Sequence, residues 1–271
     1  MPDIDVLIVN FLTPDLVVGL VDRIAGEGIH VYVWDNSGDI PPGRLGPDVE
    51  VHGDGRNLFY AEASNRLYAM SDSPLVALVN PDIELDVAEL RRMADALLGD
   101  EARWGVAPRL VDPGGQDQAY VRRLPTLSRV VADRVKLARR WLRAAHDSYW
   151  YADLARDRDG DVEQPAAACL MLRRAAVGPS LFDPSYRLFF NDTDLARRLG
   201  MRGTCRYLGS MSVVHRGGES IARLQARRWI RIEYDRSYLR YCRRNLRSWP
   251  LLVPIFVARI GLTKLIAAVA R

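Results

Sequence analysis

Short apolar runs alternate with segments of helical apolar spacing along the first 110 residues of the chain. The runs predict buried strands and the spaced segments predict amphipathic helices. Strands are expected at residues 5–11, 30–34, 49–52, 75–79 and 105–110, with helices after residue 13, at 60–71 and at 87–98. Such alternation indicates βαβ units, an α/β class and a mostly parallel sheet.

Polar residues follow several of these predicted strands directly. They are Asn10, Asp35, Asn36, Asn57, Asn80 and Asp82. The carboxyl ends of parallel strands meet at one edge of an open α/β sheet, where ligands bind. Asn-Pro-Asp at residues 80–82 is also good turn chemistry. Because several polar side chains converge on this edge, a ligand site is the favoured interpretation.

The pattern is less regular between residues 111 and 221. Residues 122–126 form a basic loop, 127–145 look helical and basic, and 164–173 indicate a strand or a buried edge. Asp192 lies just before an apolar helical pattern, where an N-cap or first-turn acid is the simplest interpretation. A short strand is expected to end at His215.

A basic helical region is predicted beyond a boundary near residue 221. Residues 223–247 contain many arginines and only Glu233 and Asp235 as acids. The tail at 249–271 is apolar but interrupted by prolines and by Arg259 and Lys264, so it suits an interfacial helix better than a membrane span. A basic, aromatic stretch beside such a tail suits an anionic membrane. A helix packed on the protein's own core remains the alternative.

Composition excludes several other classes of protein. A hydrophobic content of 48% and a charged content of 27% over 271 residues are typical of a globular protein. Cys169, Cys205 and Cys242 are too far apart for a zinc motif, which favours a reducing compartment, and no secretory signal opens the sequence. No G-x-G-x-x-G follows the first strand, which disfavours a dinucleotide-dependent oxidoreductase. The net charge of +4 does not by itself imply nucleic acid. The basic stretch adjoins an apolar tail instead of forming a groove-reading element, so no nucleic-acid partner is expected.

Seven ordered motifs carry a family resemblance from about residue 4 to 245. They are Val9-Asn10-Phe11, Trp34 to Ser37, Asn57 to Asn65, Leu78 to Asp82, Pro108-Arg109-Leu110 with Arg122 to Thr126, Phe182 to Leu195, and Val213, His215, Gly218 and Ser220. Together they resemble the family 2 glycosyltransferases, in particular the bacterial rhamnosyltransferase-like branch. Two positions depart from the pattern: Phe59 replaces a glycine and Asn191 replaces a glutamate.

The resemblance implies a GT-A fold, with residues 1–110 as the nucleotide-binding half and 111–221 as the acceptor and catalytic half. Residues 222–271 would form the helical C-terminal region. Donor-binding residues would be Asn10, Asp35, Asn36, Asn57, Asn65, Asn80 and Asp82. Asp35 would accept from a pyrimidine imide, unless it caps an Asx turn. Asn65 falls inside a helix, where asparagine needs a partner.

A divalent cation, Mg²⁺ or Mn²⁺, would neutralise the diphosphate leaving group. Asp82 and His215 would be its ligands, although a lone histidine is often structural. Asp192 would be the general base that deprotonates the acceptor hydroxyl, with inversion. Asp194 and Arg122 would support the acceptor or the loop. The following helix N-terminus would lower the pKa of Asp192, so burial or a nearby acid must offset it.

These expectations converge on one predicted function. The protein would transfer a sugar, with rhamnose from dTDP-rhamnose as the best guess, to a polysaccharide or polyprenyl-linked hydroxyl. It would act in the cytoplasm, at the inner face of the plasma membrane. Alternative donors are UDP-galactofuranose, UDP-N-acetylglucosamine and GDP-mannose. A catalytically inactive scaffold that binds nucleotide-sugars is the alternative from another class.

Overall fold

The computed structural model describes residues 3–217 and 227–269. Its strands are β1 (Ile4–Asn10), β2 (Ile29–Asp35), β3 (Val49–His52), β4 (Leu75–Val79), β5 (Ile83–Glu84), β6 (Arg103–Val111), β7 (Gly160–Val162), β8 (Cys169–Arg173) and β9 (Thr204–His215). Its helices are α1 (Pro14–Ile24), α2 (Phe59–Met70), α3 (Val87–Leu98), α4 (Leu127–Arg134), α5 (Arg143–Tyr149), α6 (Arg174–Val177), α7 (Asn191–Leu199), α8 (Arg227–Asn245) and α9 (Val253–Val269).

One sheet runs through the described residues in the order β3-β2-β1-β4-β8-β6-β9-β5, and β7 pairs with β9. The four strands at the β3 end are parallel, as expected for βαβ units. β8 then enters antiparallel between β4 and β6. The register places Asn10 beside Asp35, so the carboxyl ends of β1 and β2 share one edge.

Helices cover both faces of this sheet. The central strand β4 is buried along its whole length because side chains of both faces are covered. One face packs on α1 and α3 through residues such as Leu20 and Leu90. The other face packs on α2 and α7 through residues such as Leu67 and Leu195. The predicted α/β class is therefore confirmed.

The C-terminal helices pack on the second half of the molecule through an aromatic cluster. Tyr186, Phe190, Tyr238 and Phe256 are buried together with Leu252. The inner side of α9 is thus part of a core. Its outer side carries large exposed apolar residues, namely Val257, Leu262 and Leu265. Both alternatives considered for the tail therefore keep a physical basis, one for each side of the helix.

Some elements differ from their predicted extent. The helix expected at 127–145 is divided into α4, a 3₁₀ turn at Ala138–Arg140 and α5, because Val135 takes an extended conformation at the end of α4. β9 is much longer than the strand expected at 213–215, because pairing with β6 extends it back to Thr204. The predicted boundary at residue 221, together with Gly218 and Ser220, lies outside the described residues. In the described part of the chain, no helix is long and apolar enough to cross a bilayer.

Candidate active site

Asp35 organises the loop at the carboxyl edge of β2. Its Oδ1 accepts hydrogen bonds from Asn10 Nδ2 at 2.8 Å and from the amides of Ser37 and Gly38, and its Oδ2 accepts from the Ile40 amide. Burial raises the pKa of Asp35, but these donors outweigh it and leave the pKa below its ordinary value. This is the cap arrangement that the sequence offered as the alternative for Asp35.

Asn36 and Asn57 connect this loop to the start of α2. The Asn36 Oδ1 accepts from the Leu58 amide and the Asn57 Oδ1 accepts from the Phe59 amide, both at 2.8 Å. Phe59 adopts a φ of 61°, which suits a glycine far better than a bulky side chain. Its ring stacks on Trp229 of α8 with 5.5 Å between centroids. The departure at Phe59 therefore joins the nucleotide half to the C-terminal helices.

Asn65 makes both of its side-chain hydrogen bonds with the protein's own backbone. Its Nδ2 donates to the Phe182 carbonyl at 2.8 Å and its Oδ1 accepts from the Phe182 amide at 2.7 Å. The side-chain amide thus pairs with one backbone peptide group and holds the 180–190 loop against α2. A partner was expected for an asparagine inside a helix, but that partner is the protein's own backbone.

Asp82 and His215 are brought together by a short antiparallel pairing of β5 and β9. Ile83 lies opposite His215, and the Arg216 amide donates to the Asp82 carbonyl. The His215 Nε2 lies 3.4 Å from the Asp82 Oδ1, and both residues are almost fully buried. Asn80 forms the turn that precedes this pair, with its amide bound to the Ala168 carbonyl.

Gln118 fixes the protonation of the His215 ring. Its Nε2 donates to the His215 carbonyl at 2.9 Å, so its Oε1 is the atom that faces His215 Nδ1 at 2.8 Å. An amide oxygen only accepts, so Nδ1 carries a hydrogen. The Nε2 of a neutral ring is then a bare lone pair directed at a carboxylate. Two acceptors at this distance need a proton or a cation between them.

These two side chains fit a partial set of ligands for a divalent cation. An imidazole nitrogen and a carboxylate oxygen both coordinate Mn²⁺, and carboxylate oxygen suits Mg²⁺. Within residues 3–217 and 227–269, no group of three or more His, Cys, Asp and Glu side chains is arranged to hold a metal. A cation at Asp82 and His215 would therefore need further ligands from a substrate or water.

Asp192 lies in the first turn of α7 with its carboxylate held on two sides. The Gln164 Nε2 donates to its Oδ2 at 3.1 Å, and the Thr193 amide donates to its Oδ1 at 2.7 Å. Burial raises the pKa of Asp192, and the Arg122 charge and these donors only partly offset that effect. Burial thus offsets the lowering of the Asp192 pKa that is expected at a helix N-terminus.

Tyr60 is influenced by carboxylates of both candidate centres. Its hydroxyl donates to the Ala167 carbonyl at 3.0 Å. Burial raises its pKa, and the negative charges of Asp192 and Asp82 raise it further. Both carboxylates are thus close enough to Tyr60 to act on it electrostatically. The predicted base and the predicted metal ligand thus share Tyr60 as an electrostatic neighbour.

Several polar atoms around Asp192 are buried without a hydrogen-bond partner among the described residues. They are Gln164 Oε1, Asn191 Nδ2 and Arg122 Nε. The Arg122 guanidinium lies over the Trp150 ring at 5.2 Å, and the Arg122 and Gln164 backbones pair with each other. Unpaired buried polar atoms are costly, and they cluster where a ligand completes the hydrogen bonding.

Asp194 has a different environment from Asp192 although it lies only two residues away. Its Oδ2 accepts from Arg198 Nε at 3.1 Å, and Arg198 also donates to the Leu181 carbonyl. Burial raises the pKa of Asp194, partly offset by Arg198. Asp194 thus supports the loop, which is one of the two roles predicted for it.

Tyr60, Gln118 and Gln164 were missed by sequence reasoning. Tyr60 falls in the quoted motif beside Phe59, and Gln164 is the one polar residue that opens the small apolar stretch at 164–170. An isolated polar residue before such a stretch is a usable signal. Gln118 lies in a turn-rich segment and its sequence neighbours give no comparable signal.

Comparisons with known proteins bear on the fold and on the class of enzyme. No protein-family model matches the chain. Two curated relatives from Mycobacterium tuberculosis strains, each an N-acetylglucosaminyl-diphospho-decaprenol L-rhamnosyltransferase, are 30% identical over 198 residues. The match covers 65% of this chain, and the chain spans only 62% of the length of these relatives.

Solved structures share the fold. A mannosyltransferase from Pyrobaculum calidifontis, in complex with GDP-Man and Mn²⁺, matches 97% of this chain and 72% of its own with a TM-score of 0.55 at 12% identity. The S. aureus protein TarS, residues 1–349, matches 95% of this chain and 81% of its own with a TM-score of 0.52 at 11% identity. The chain therefore has the GT-A fold and is similar in sequence to these rhamnosyltransferases.

The predicted resemblance to this class of glycosyltransferase and the predicted fold are thereby confirmed. The named relatives and both of these solved structures are glycosyltransferases or carry their fold, in agreement with the predicted class of enzyme. At 11–12% identity the solved structures speak for the fold alone.

Proposed function

We propose that this protein is an inverting glycosyltransferase that moves rhamnose from dTDP-rhamnose to a hydroxyl of a polyprenyl-linked or polysaccharide acceptor. The observation that carries the proposal is the partly buried Asp192 carboxylate, with its pKa raised and unpaired polar atoms around it. Rhamnose as the sugar, and a lipid-linked acceptor, are supported by the activity for which the curated relatives are named.

Asp192 acts as the general base. A carboxylate with a raised pKa takes the proton of the attacking hydroxyl more readily than an ordinary aspartate. Gln164 orients the carboxylate through Oδ2, and the Arg122 charge keeps the ionised form populated. The free polar atoms of Gln164 and Asn191 are left to bind hydroxyls of the acceptor or of the sugar.

Asp82 and the Nε2 of His215, 3.4 Å apart, would hold a divalent cation. When bound, the cation would neutralise charge that develops on the diphosphate as the sugar departs. Asn80 would bring less negative charge to this site than an aspartate.

The loops after β1, β2 and β3 hold the nucleotide. Asn10, Asp35, Asn36 and Asn57 shape this crevice, and Asn57 is exposed and accessible to ligand. Asp35 favours a pyrimidine base in this proposal, acting through the loop that it organises. UDP-galactofuranose, UDP-N-acetylglucosamine and GDP-mannose remain the alternative donors.

The acceptor approaches from the side of the C-terminal helices. A cavity of about 450 Å³ lies there, lined by apolar and cationic side chains that include Phe189, Arg231 and Leu262. A lipid diphosphate carries the matching apolar and anionic groups. The enzyme works at the cytoplasmic face of the plasma membrane, bound peripherally.

The inactive scaffold is the second candidate, favoured by Asn80, Asn191 and Phe59. A scaffold binds a nucleotide-sugar without turnover. A panel of dTDP, UDP, GDP and CMP, each with and without Mn²⁺, separates the candidates when thermal shift is combined with sugar transfer. A ligand at 100 times its dissociation constant stabilises the fold by about 2.7 kcal/mol.

The expected result is Mn²⁺-dependent stabilisation by dTDP together with transfer of rhamnose to a diphosphate-linked N-acetylglucosamine acceptor. Stabilisation without transfer would leave the scaffold. Stabilisation by GDP alone would contradict the pyrimidine donor, and no response to any nucleotide would contradict the whole proposal.

A further inference from the structure

The segment of residues 135–143 exposes two large apolar side chains that pack against little of the described protein. Leu137 is 74% exposed and Trp141 is 71% exposed, on and beside the 3₁₀ turn that follows α4. Scattered single apolar residues on a surface need no explanation. A tryptophan and a leucine four residues apart on one turn are a concentrated patch.

Cationic side chains surround this patch. Lys136, Arg139, Arg140 and Arg143 lie within the 135–143 segment, and residues 134–146 contain no aspartate or glutamate. Arg143 is 86% exposed and faces Asp147 at 3.5 Å, while Arg139 donates to the Ala132 carbonyl. Lys136 and Arg140 are exposed and make no ion pair within the described residues. The segment therefore combines a positive field with an apolar tip.

The 135–143 segment begins beside α9. Arg259 of α9 donates to the Arg134 carbonyl and to the Asp235 carboxylate, which fixes the end of α4 against the last helix. That helix exposes Val257, Leu262 and Leu265. Two neighbouring elements thus expose large apolar residues among basic ones.

We propose that the 135–143 segment is a membrane-binding surface, in which Trp141 and Leu137 enter the headgroup region of an anionic bilayer and Lys136, Arg139 and Arg140 bind lipid phosphates. Tryptophan is suited to the interface because its ring is apolar while its N–H stays hydrated. Each basic residue near an anionic surface adds attraction. The purpose of this surface rests on the proposed lipid-linked acceptor, but its binding to lipid does not require transfer.

The experiment is co-sedimentation of the full chain with vesicles of phosphatidylcholine, with or without phosphatidylglycerol. The double variant Leu137→Ala/Trp141→Ala is expected to bind the anionic vesicles about tenfold or more weakly. Arg139→Gln/Arg140→Gln is expected to weaken binding in low salt most, because the lost attraction is screened by salt. Quenching of tryptophan fluorescence by brominated lipid is expected to fall in Trp141→Phe.

Met201→Ala/Arg202→Gln is the matched control, since it removes another exposed apolar residue, 76% exposed, and a neighbouring exposed arginine. The control should bind vesicles as the unchanged protein does. The proposal would be overturned if Leu137→Ala/Trp141→Ala and the control lost vesicle binding equally, or if the unchanged protein bound neutral and anionic vesicles equally. A change in oligomeric state of Leu137→Ala/Trp141→Ala without a change in its lipid binding would also overturn it. Transfer to a short, water-soluble acceptor should be the same in all variants. If the unchanged protein did not transfer sugar to this acceptor, that result would instead contradict the proposed function.

Discussion

The loop after β2 and the surroundings of Asp192 handle buried polar groups in opposite ways. Around Asp35, side chains and amides satisfy one another, and both carboxylate oxygens accept from the protein. Around Asp192, Gln164 Oε1 and Asn191 Nδ2 are buried without partners among the described residues. The pKa of Asp35 is accordingly lowered, whereas burial raises that of Asp192.

This difference separates a residue that builds a binding loop from a residue that is kept reactive. A satisfied carboxylate stabilises the fold and is a poor base. A desolvated carboxylate costs stability and gains basicity. Both regions follow motifs of similar appearance in the sequence, so their roles become distinct only when their hydrogen bonds are known.

Replacement of Asp192 by asparagine is expected to have the largest effect on activity. The variant keeps the size of the side chain and removes the base, so sugar transfer should fall by about 10²–10⁴-fold. The melting temperature should stay the same or rise, because ionising a carboxylate whose pKa is raised by burial costs stability at neutral pH. Measured together, the transfer rate and the thermal unfolding curve test both statements.

Asp194→Asn is the control for that variant. It alters a neighbouring acid that pairs with Arg198 and should reduce transfer by less than about tenfold. If Asp192→Asn and Asp194→Asn lost the same amount of activity, Asp192 would not be the general base.

Asp82→Asn is expected to abolish the metal dependence of donor binding. With one charged ligand gone, the affinity for Mn²⁺ in the presence of dTDP should fall by roughly 10–100-fold. Titration of Mn²⁺ against the thermal shift given by dTDP provides the measurement. His215→Gln should give a similar but smaller loss, and a variant with unchanged Mn²⁺ response would exclude the site.

The pH dependence of transfer should report the raised pKa of Asp192. As pH falls through this pKa the base becomes protonated, so kcat/KM should decline about tenfold per pH unit below it. The acid limb is expected above the range of an ordinary aspartate, whose pKa is about 3.9. Gln164→Leu loses the donor to Oδ2, so its acid limb of kcat/KM should lie at a higher pH than that of the unchanged protein.

Asp35→Asn should affect stability more than chemistry. The change removes a charged acceptor for three amides and should cost about 1–3 kcal/mol in the free energy of unfolding. The contribution of Asp35 is present above its unfolded pKa and is lost as pH falls through the lower folded pKa. Urea unfolding at neutral and acidic pH should therefore show a difference between the proteins that shrinks in acid.

Phe59 offers the smallest and most specific test. Phe59→Ala keeps a side chain at a φ of 61° and loses the stack on Trp229, whereas Phe59→Gly loses the same stack and relieves the backbone. The glycine variant should be more stable than the alanine variant by about 1 kcal/mol. If the two variants unfold alike, the backbone of residue 59 bears no strain.

The sequence predicts the nucleotide half well because each element there is local. Strands at 30–34 and 75–79, and the helix at 87–98, follow from apolar periodicity, and the capping box of Asp86 and Glu89 fixes the start of that helix. The converging edge follows from the parallel topology, so Asn10 and Asp35 are found together as expected.

The rest depends on contacts between distant residues. Asn65 could not be assigned from its helix, since its partner Phe182 is 117 residues away. Gln118 and His215 are 97 residues apart, and their bond decides which ring nitrogen is free. Side chains at such separations have no common periodicity. Tyr60 and Gln164 fall near quoted motifs, yet their function is defined only by what they face.

The position of β8 has a consequence for how the two halves can be separated. β8 comes from the second half of the chain, yet it covers one edge of β4, whose residues are all buried. A fragment ending at residue 110 would leave β4 as a bare apolar edge, which is a template for aggregation. The predicted nucleotide and acceptor halves therefore share one cooperative folding unit. The strand that pairs with β4 lies far along the chain, since Ala77 is paired with Met171, 94 residues later, so folding should be slow for the length of the chain.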